Sequence, residues 1–275
     1  MIMKRSYGLT FLTAPELDPI SSIQIAAECG YRFVGLRLVP ATSEEPNYPI
    51  LHDKKLAQKV RLEAEISGVS VLDVELIRVD ESFQLESKLQ FLEAAASIGA
   101  KHINIACNDP DYVRMQDNFA ALCEASRPFS LSCDIEFLPW TMLKNLNDTQ
   151  QFLKEVNQPN GALMIDALHW ARSSTASKLD LQQVPASAFN YVQICDALLD
   201  YDTSPKGLIH IARSERLMPG AGELDLTEFL DAIPADKPVG IEVPNTQLFK
   251  QYSAKERAVM AIQAVEKLFE VKAGC

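Results

Sequence analysis

Paired cysteines, dense positive charge and long apolar runs are all missing from this 275-residue chain. Its six cysteines (29, 107, 123, 133, 195, 275) include no C-x-x-C pair, and Cys107, Cys133 and Cys195 sit in apolar runs that read as strands. They are expected to be small, reduced core residues in a cytoplasmic setting. Lys and Arg total 26 against 37 Asp and Glu, for a net charge of -11. Nucleic acid and anionic membrane both reward clusters of basic residues, so neither is an expected partner. No apolar stretch approaches the length of a membrane span. The opening Met1-Ile-Met-Lys-Arg-Ser6 leads into a strand-like segment without an apolar signal core. Also absent are a G-x-G-x-x-G after the first strand, which counts against a doubly wound open sheet, and a lysine-and-glycine phosphate motif.

What is present is one alternation from end to end. Short apolar runs predict strands at Tyr7–Leu12, Phe33–Leu38, Ser70–Ile77, His102–Cys107, Ser130–Phe137, Ala162–Asp166, Tyr191–Cys195 and Val239–Val243. They are apolar on both faces, as a parallel sheet covered by helices requires. Helical periodicity fills the gaps at Ile20–Cys29, Asp53–Ser67, Phe83–Ile98, Asp111–Pro128, Met142–Val156, Ala176–Gln183, Leu226–Ile233 and Ser253–Phe269. Gly68 and Gly99 stand where helices end, and Asp225 stands as an N-cap. Eight such units predict a single (β/α)8 TIM barrel over residues 1–275, with its working face at the C-terminal rim. One connection is long: 28 residues from Asp196 to Glu223, read as a loop that can act as a lid or substrate loop.

Four strand ends carry oxygen donors. Glu136, Asp166 and Glu242 each close an apolar run, and Gln193 lies within the seventh. A carboxylate at the end of a buried strand is costly unless its charge is used. In a closed barrel these ends share one rim, where they can converge on a divalent cation. Three carboxylates and an amide suit Mn²⁺ or Mg²⁺ better than Zn²⁺. The alternative is that each acid merely caps the helix that follows it. His169, three residues after Asp166, is placed to bind a substrate oxygen or shuttle a proton. Arg37, Glu75, Trp140 and Arg216 are candidate substrate contacts, although Arg37 and Glu75 can equally form a rim ion pair. Arg78 ends the third strand and can grip a hydroxyl, carboxylate or phosphate. Trp140 and Trp170 can wall a sugar face or pack in the core. Asp196 is expected to orient Gln193 or His169. Asn104 and Asn108 carry no assigned role.

The chain resembles the xylose isomerase-like TIM-barrel superfamily of sugar phosphate isomerases and epimerases. The resemblance is carried by Ile25–Arg37, Val71–Glu75, Leu92–His102, Ile135-Glu-Phe137, Asp166-Ala-Leu-His169, Val192–Asp196, Pro219–Asp225 and Ile241-Glu242. It implies a divalent metal on Glu136, Asp166 and Glu242, with His169 on the substrate side. The sequence departs from the family at Gln193, which stands where a histidine is usual. By resemblance, Glu136 and Glu242 move a proton to and from the carbon beside a carbonyl, through a metal-stabilised enediolate. The implied activity is a metal-dependent isomerase or epimerase of a small polyhydroxy carbonyl compound. A dehydratase acting on a keto-polyol such as an inosose or dehydroshikimate shares the first step, and a non-catalytic sugar-binding barrel is the third reading. Abasic-site endonucleases of this barrel resemble a histidine-rich zinc site with a basic face, which four histidines and a charge of -11 disfavour. Barrels of this family often form homo-oligomers.

Overall fold

Parallel strands that are apolar on both faces leave no face for water, so the sheet has to be closed or covered. In the computed structural model it is both. The model describes residues 5–42, 45–173 and 177–273. Met1–Lys4, the first residue of the predicted helix at Ala176, and Cys275 lie outside the described residues. The strands are β1 (Tyr7–Leu9), β2 (Phe33–Arg37), β3 (Ser70–Val79), β4 (His102–Cys107), β5 (Ser132–Glu136), β6 (Gly161–Asp166), β7 (Phe189–Ile194) and β8 (Val239–Ile241). They pair in sequence order, all parallel, and β1 pairs with β8 to close the barrel. The predicted (β/α)8 barrel is therefore the fold.

Each crossover packs an apolar helix stripe on the outer barrel wall. Ile23, Val60, Leu92, Phe119, Phe152 and Phe229 from successive helices are buried against strand residues such as Val34, Val74, Ile105, Ile135 and Val192. Local sequence sets the helix ends. Asp53 accepts the N–H groups of Lys55 and Leu56, and Asp225 accepts that of Glu228. Gly68 and Gly99 close their helices with φ of 71° and 86°, a left-handed conformation that side chains disfavour.

Several expectations shift in detail. The helix expected from Met142 begins at Leu146, because Asn145 accepts the Asp148 N–H and fixes the first turn there. The stretch from Phe83 splits into a 3₁₀ turn at Leu85–Lys88 and a helix at Leu89–Ser97. The long connection after β7 contains a ten-residue helix, Pro205–Ser214, capped by Ser204 with Pro205 in its first turn. None of the five described cysteines is in a disulfide. No helix is long and apolar enough to cross a membrane among the described residues.

Candidate active site

The carboxyl ends of the strands open into a cavity lined by Glu75, Asn104, Glu136, Trp140, His169, Arg216 and Glu242. Glu136 ends β5 and Glu242 directly follows β8, so barrel closure alone carries both to one rim. Asp166 ends β6 and caps the short helix Ala167–Ala171, with Oδ1 accepting the N–H groups of Leu168 (2.8 Å) and His169 (3.1 Å). That turn points the His169 ring back over the rim, with Nε2 3.3 Å from Glu136 Oε1. Asn104 of β4 donates to Glu136 Oε2 at 3.0 Å. Its polar side chain within an apolar strand was the available sign of a role, but its partner could not be read from the sequence.

Arg216 sits at the centre. It is only 2% exposed, although its charge is permanent. Nη1 donates to Asp166 Oδ2 at 2.6 Å and to Cys195 Sγ at 3.6 Å. Nη2 lies 3.1 Å from Glu242 Oε2 and 3.4 Å from His169 Nε2, and Nε donates to the Ala212 carbonyl at 2.8 Å. The backbone that delivers it is pinned on two sides. Asp196 and Leu217 exchange both backbone hydrogen bonds at 2.8 Å, and the Arg216 N–H donates to the Pro244 carbonyl at 3.1 Å.

His169 Nε2 has a single in-plane position, either a proton or a lone pair. According to its tautomer it can accept from the Arg216 guanidinium or donate to the Glu136 carboxylate.

Electrostatics separate the carboxyls. Burial works against the Asp166 charge, but Arg216 and His169 outweigh it and hold its pKa below the usual carboxylate range. Burial pushes Glu242 well above that range; the negative charges of Glu75, Glu136 and Asp166 add to the effect, and Arg216 opposes it. Glu75 is likewise raised by burial, against the pull of Arg37.

The other candidates separate clearly. Arg37 forms the rim ion pair, with Nη2 2.5 Å from Glu75 and Nη1 2.7 Å from Glu45, and all three line the cavity. Trp140 lines it too, its ring edge-on to His169 with centroids 5.1 Å apart. Trp170 packs in the core against Phe229. Asp196 turns away from Gln193 and His169 and accepts the N–H groups of Ala197, Gly220 and Leu224, holding the 217–224 segment in place. Gln193 is buried with neither side-chain atom hydrogen-bonded, and it lies outside the cavity lining, as does Asp166. Arg78 and Arg213 line the cavity wall with no hydrogen-bond or ion-pair partner among the described residues.

Glu136, Asp166 and His169 bring ligand atoms within 4.8 Å of one another, a grouping that can hold a metal ion. It contains an imidazole, so an all-oxygen preference for Mn²⁺ or Mg²⁺ does not apply to it. The guanidinium already takes the Asp166 Oδ2 and His169 Nε2 atoms that an ion there would use, and Asp166 Oδ1 is spent on two backbone N–H groups. A divalent ion on these atoms would sit against a fixed positive charge in a poorly screened interior. With Arg216 in place, the residues present do not fit a divalent metal.

A family model described as xylose isomerase-like TIM barrel matches residues 23–268. The chain belongs to this family. Among similar structures is a xylose isomerase domain protein from Alicyclobacillus acidocaldarius subsp. acidocaldarius, at 19% identity and TM-score 0.73, with 96% of this chain and 97% of that one covered. A D-allulose 3-epimerase from Methylomonas sp., in complex with D-allulose, is similar at 14% identity and TM-score 0.71, with 96% and 98% covered. An IolI protein with a zinc atom aligns at 15% identity and TM-score 0.75, with 94% and 96% covered. These likenesses establish the shared barrel. A search of curated proteins by sequence finds no match.

Proposed function

We propose that this xylose isomerase-like barrel is an isomerase or epimerase of a small polyhydroxy carbonyl compound. One observation carries the reading: Glu136 and Glu242 line the same cavity and are joined by an unbroken chain of contacts through His169 and Arg216. A substrate carbon between them has a proton acceptor and a proton donor within one enclosure. Glu242, whose neutral form is favoured by burial, is the proton donor. Glu136, 3.3 Å from His169 Nε2, is the base. Asn104 fixes its orientation, and Trp140 offers an apolar wall to the carbon skeleton. The weakest Arg216 contact, to His169, is the one a substrate oxygen would replace, which would set positive charge beside the developing enediolate.

The guanidiniums of Arg78 and Arg213, on the cavity wall and unpaired among the described residues, support a substrate that also carries an anionic group, a carboxylate or a phosphate. The absence of disulfides among the described cysteines supports a cytoplasmic setting. The test is deuterium exchange from solvent into a panel of keto sugars, sugar phosphates and sugar acids. Exchange is expected with the wild type and lost in both Glu136→Gln and Glu242→Gln. Exchange that persists unchanged in either variant would refute the two-carboxyl reading.

A further inference from the structure

We infer that Arg216 is the resident cation of this site: its guanidinium occupies the place of a divalent metal, and the chain is metal-independent. A guanidinium has five N–H donors. Those of Arg216 face the Ala212 carbonyl, Asp166, Cys195, Glu242 and His169, so none is left without a neighbouring polar group. An arginine kept for ligand recognition leaves donors free, and Arg78 and Arg213, which line the same cavity, have no hydrogen-bond or ion-pair partner among the described residues. Arg216 instead spends its donors on the rim, and three of its partners, Asp166, Glu242 and His169, were themselves candidates to hold an ion or a substrate.

Charge and position agree with this assignment. Buried carboxylates need a compensating cation, and Asp166 obtains one at 2.6 Å. The cation cannot drift away, because its backbone is fixed by the Asp196–Leu217 pair, by the Pro244 carbonyl and by the Asn245 side chain, which donates to the Arg216 carbonyl at 2.9 Å. The guanidinium forms part of the cavity lining, while Asp166 and Gln193 lie outside it. An ion entering from the cavity meets fixed positive charge before it meets those two donors. At the strand-seven position the uncharged Gln193 amide offers a weak ligand that no neighbour orients.

The inference holds whichever reaction the cavity carries, and its test reads metal, not turnover. The full chain is purified without chelator, analysed for bound metals by mass spectrometry, and titrated with MnCl₂ while free Mn²⁺ is followed by electron paramagnetic resonance. The same titration is run on Arg216→Met, with circular dichroism to confirm folding. The wild type is expected to carry no stoichiometric metal, to bind Mn²⁺ weakly, and to keep its melting temperature in EDTA. Arg216→Met, with its acids uncompensated, is expected to bind Mn²⁺ at least about tenfold more tightly. A wild type that purifies with one ion per chain, or equal Mn²⁺ affinity in the two proteins, would overturn the inference. Should Arg216→Met not fold, metal content and the EDTA melting curve of the wild type decide alone. Failure of the exchange experiment would leave this result untouched, and the reverse also holds.

Discussion

Asn104 donates its amide N–H to Glu136 Oε2 at 3.0 Å and leaves Oε1 turned toward His169. The carboxylate is thereby held in one orientation, with one oxygen taken by Asn104 and the other facing His169. Replacing Asn104 with Ala is expected to lower kcat for isotope exchange by about fivefold, the worth of one hydrogen bond of about 1 kcal/mol, with KM little changed. A fall in KM-controlled rate alone would instead place Asn104 on the substrate.

Arg78 supplies the second prediction. Burial lowers its pKa, and the neighbouring positive charges of Arg213 and Arg37 lower it further, a strain that an anion would relieve. Arg78→Ala is expected to raise KM for anionic substrates by about tenfold while leaving neutral sugars unaffected. Equal losses on charged and neutral sugars would argue that Arg78 acts through packing.

A third prediction concerns pH. Asp73 is buried, accepts the Tyr191 hydroxyl at 2.9 Å, and has its pKa raised well above the usual carboxylate range, first by burial and then by Glu75, with Asp134 and Glu136 adding to it. A carboxyl raised in the folded state contributes stability that is full below its unfolded pKa and is lost as pH rises through the folded value. Asp73→Asn keeps an acceptor for Tyr191 but cannot ionise. Its urea-denaturation midpoint is expected to fall less than that of the wild type as pH rises above the ordinary carboxylate range. Parallel curves would show that Asp73 is not the group titrating.

The same residue limits its neighbour in β2. A Cβ added at Gly35 would come within 2.6 Å of Asp73 Oδ1. Gly35→Ala is expected to destabilise the barrel by about 1–3 kcal/mol through overpacking, measured by chemical denaturation.

Asp196 yields the last prediction. Its carboxylate accepts three backbone N–H groups and holds the 217–224 segment against the end of β7. Asp196→Ala is expected to cost about 3 kcal/mol and to expose Pro219–Glu223 to proteolysis. Resistance equal to the wild type would mean that the segment is held elsewhere.

Much of this molecule was legible in the amino-acid order. Apolar runs of strand length alternating with helical periodicity locate all eight strands within a few residues, because backbone hydrogen bonding and burial act locally. Carboxylates at the ends of those runs mark the working rim, since nothing in a parallel sheet excuses a charge there. Glu136 and Glu242 follow from that rule, and His169 from its place three residues after Asp166. Arg216 could be named from its segment, but not its partners. Its contact with Asp166 spans 50 positions and depends on how a long connection returns to the barrel. That return is set by the Asp196–Leu217 pairing and the Pro244 carbonyl, which are contacts between distant segments. The sequence determined where charge is placed along each strand. Only the tertiary structure decided which charges meet, because pairing between distant residues is fixed by closure of the barrel and not by any local pattern.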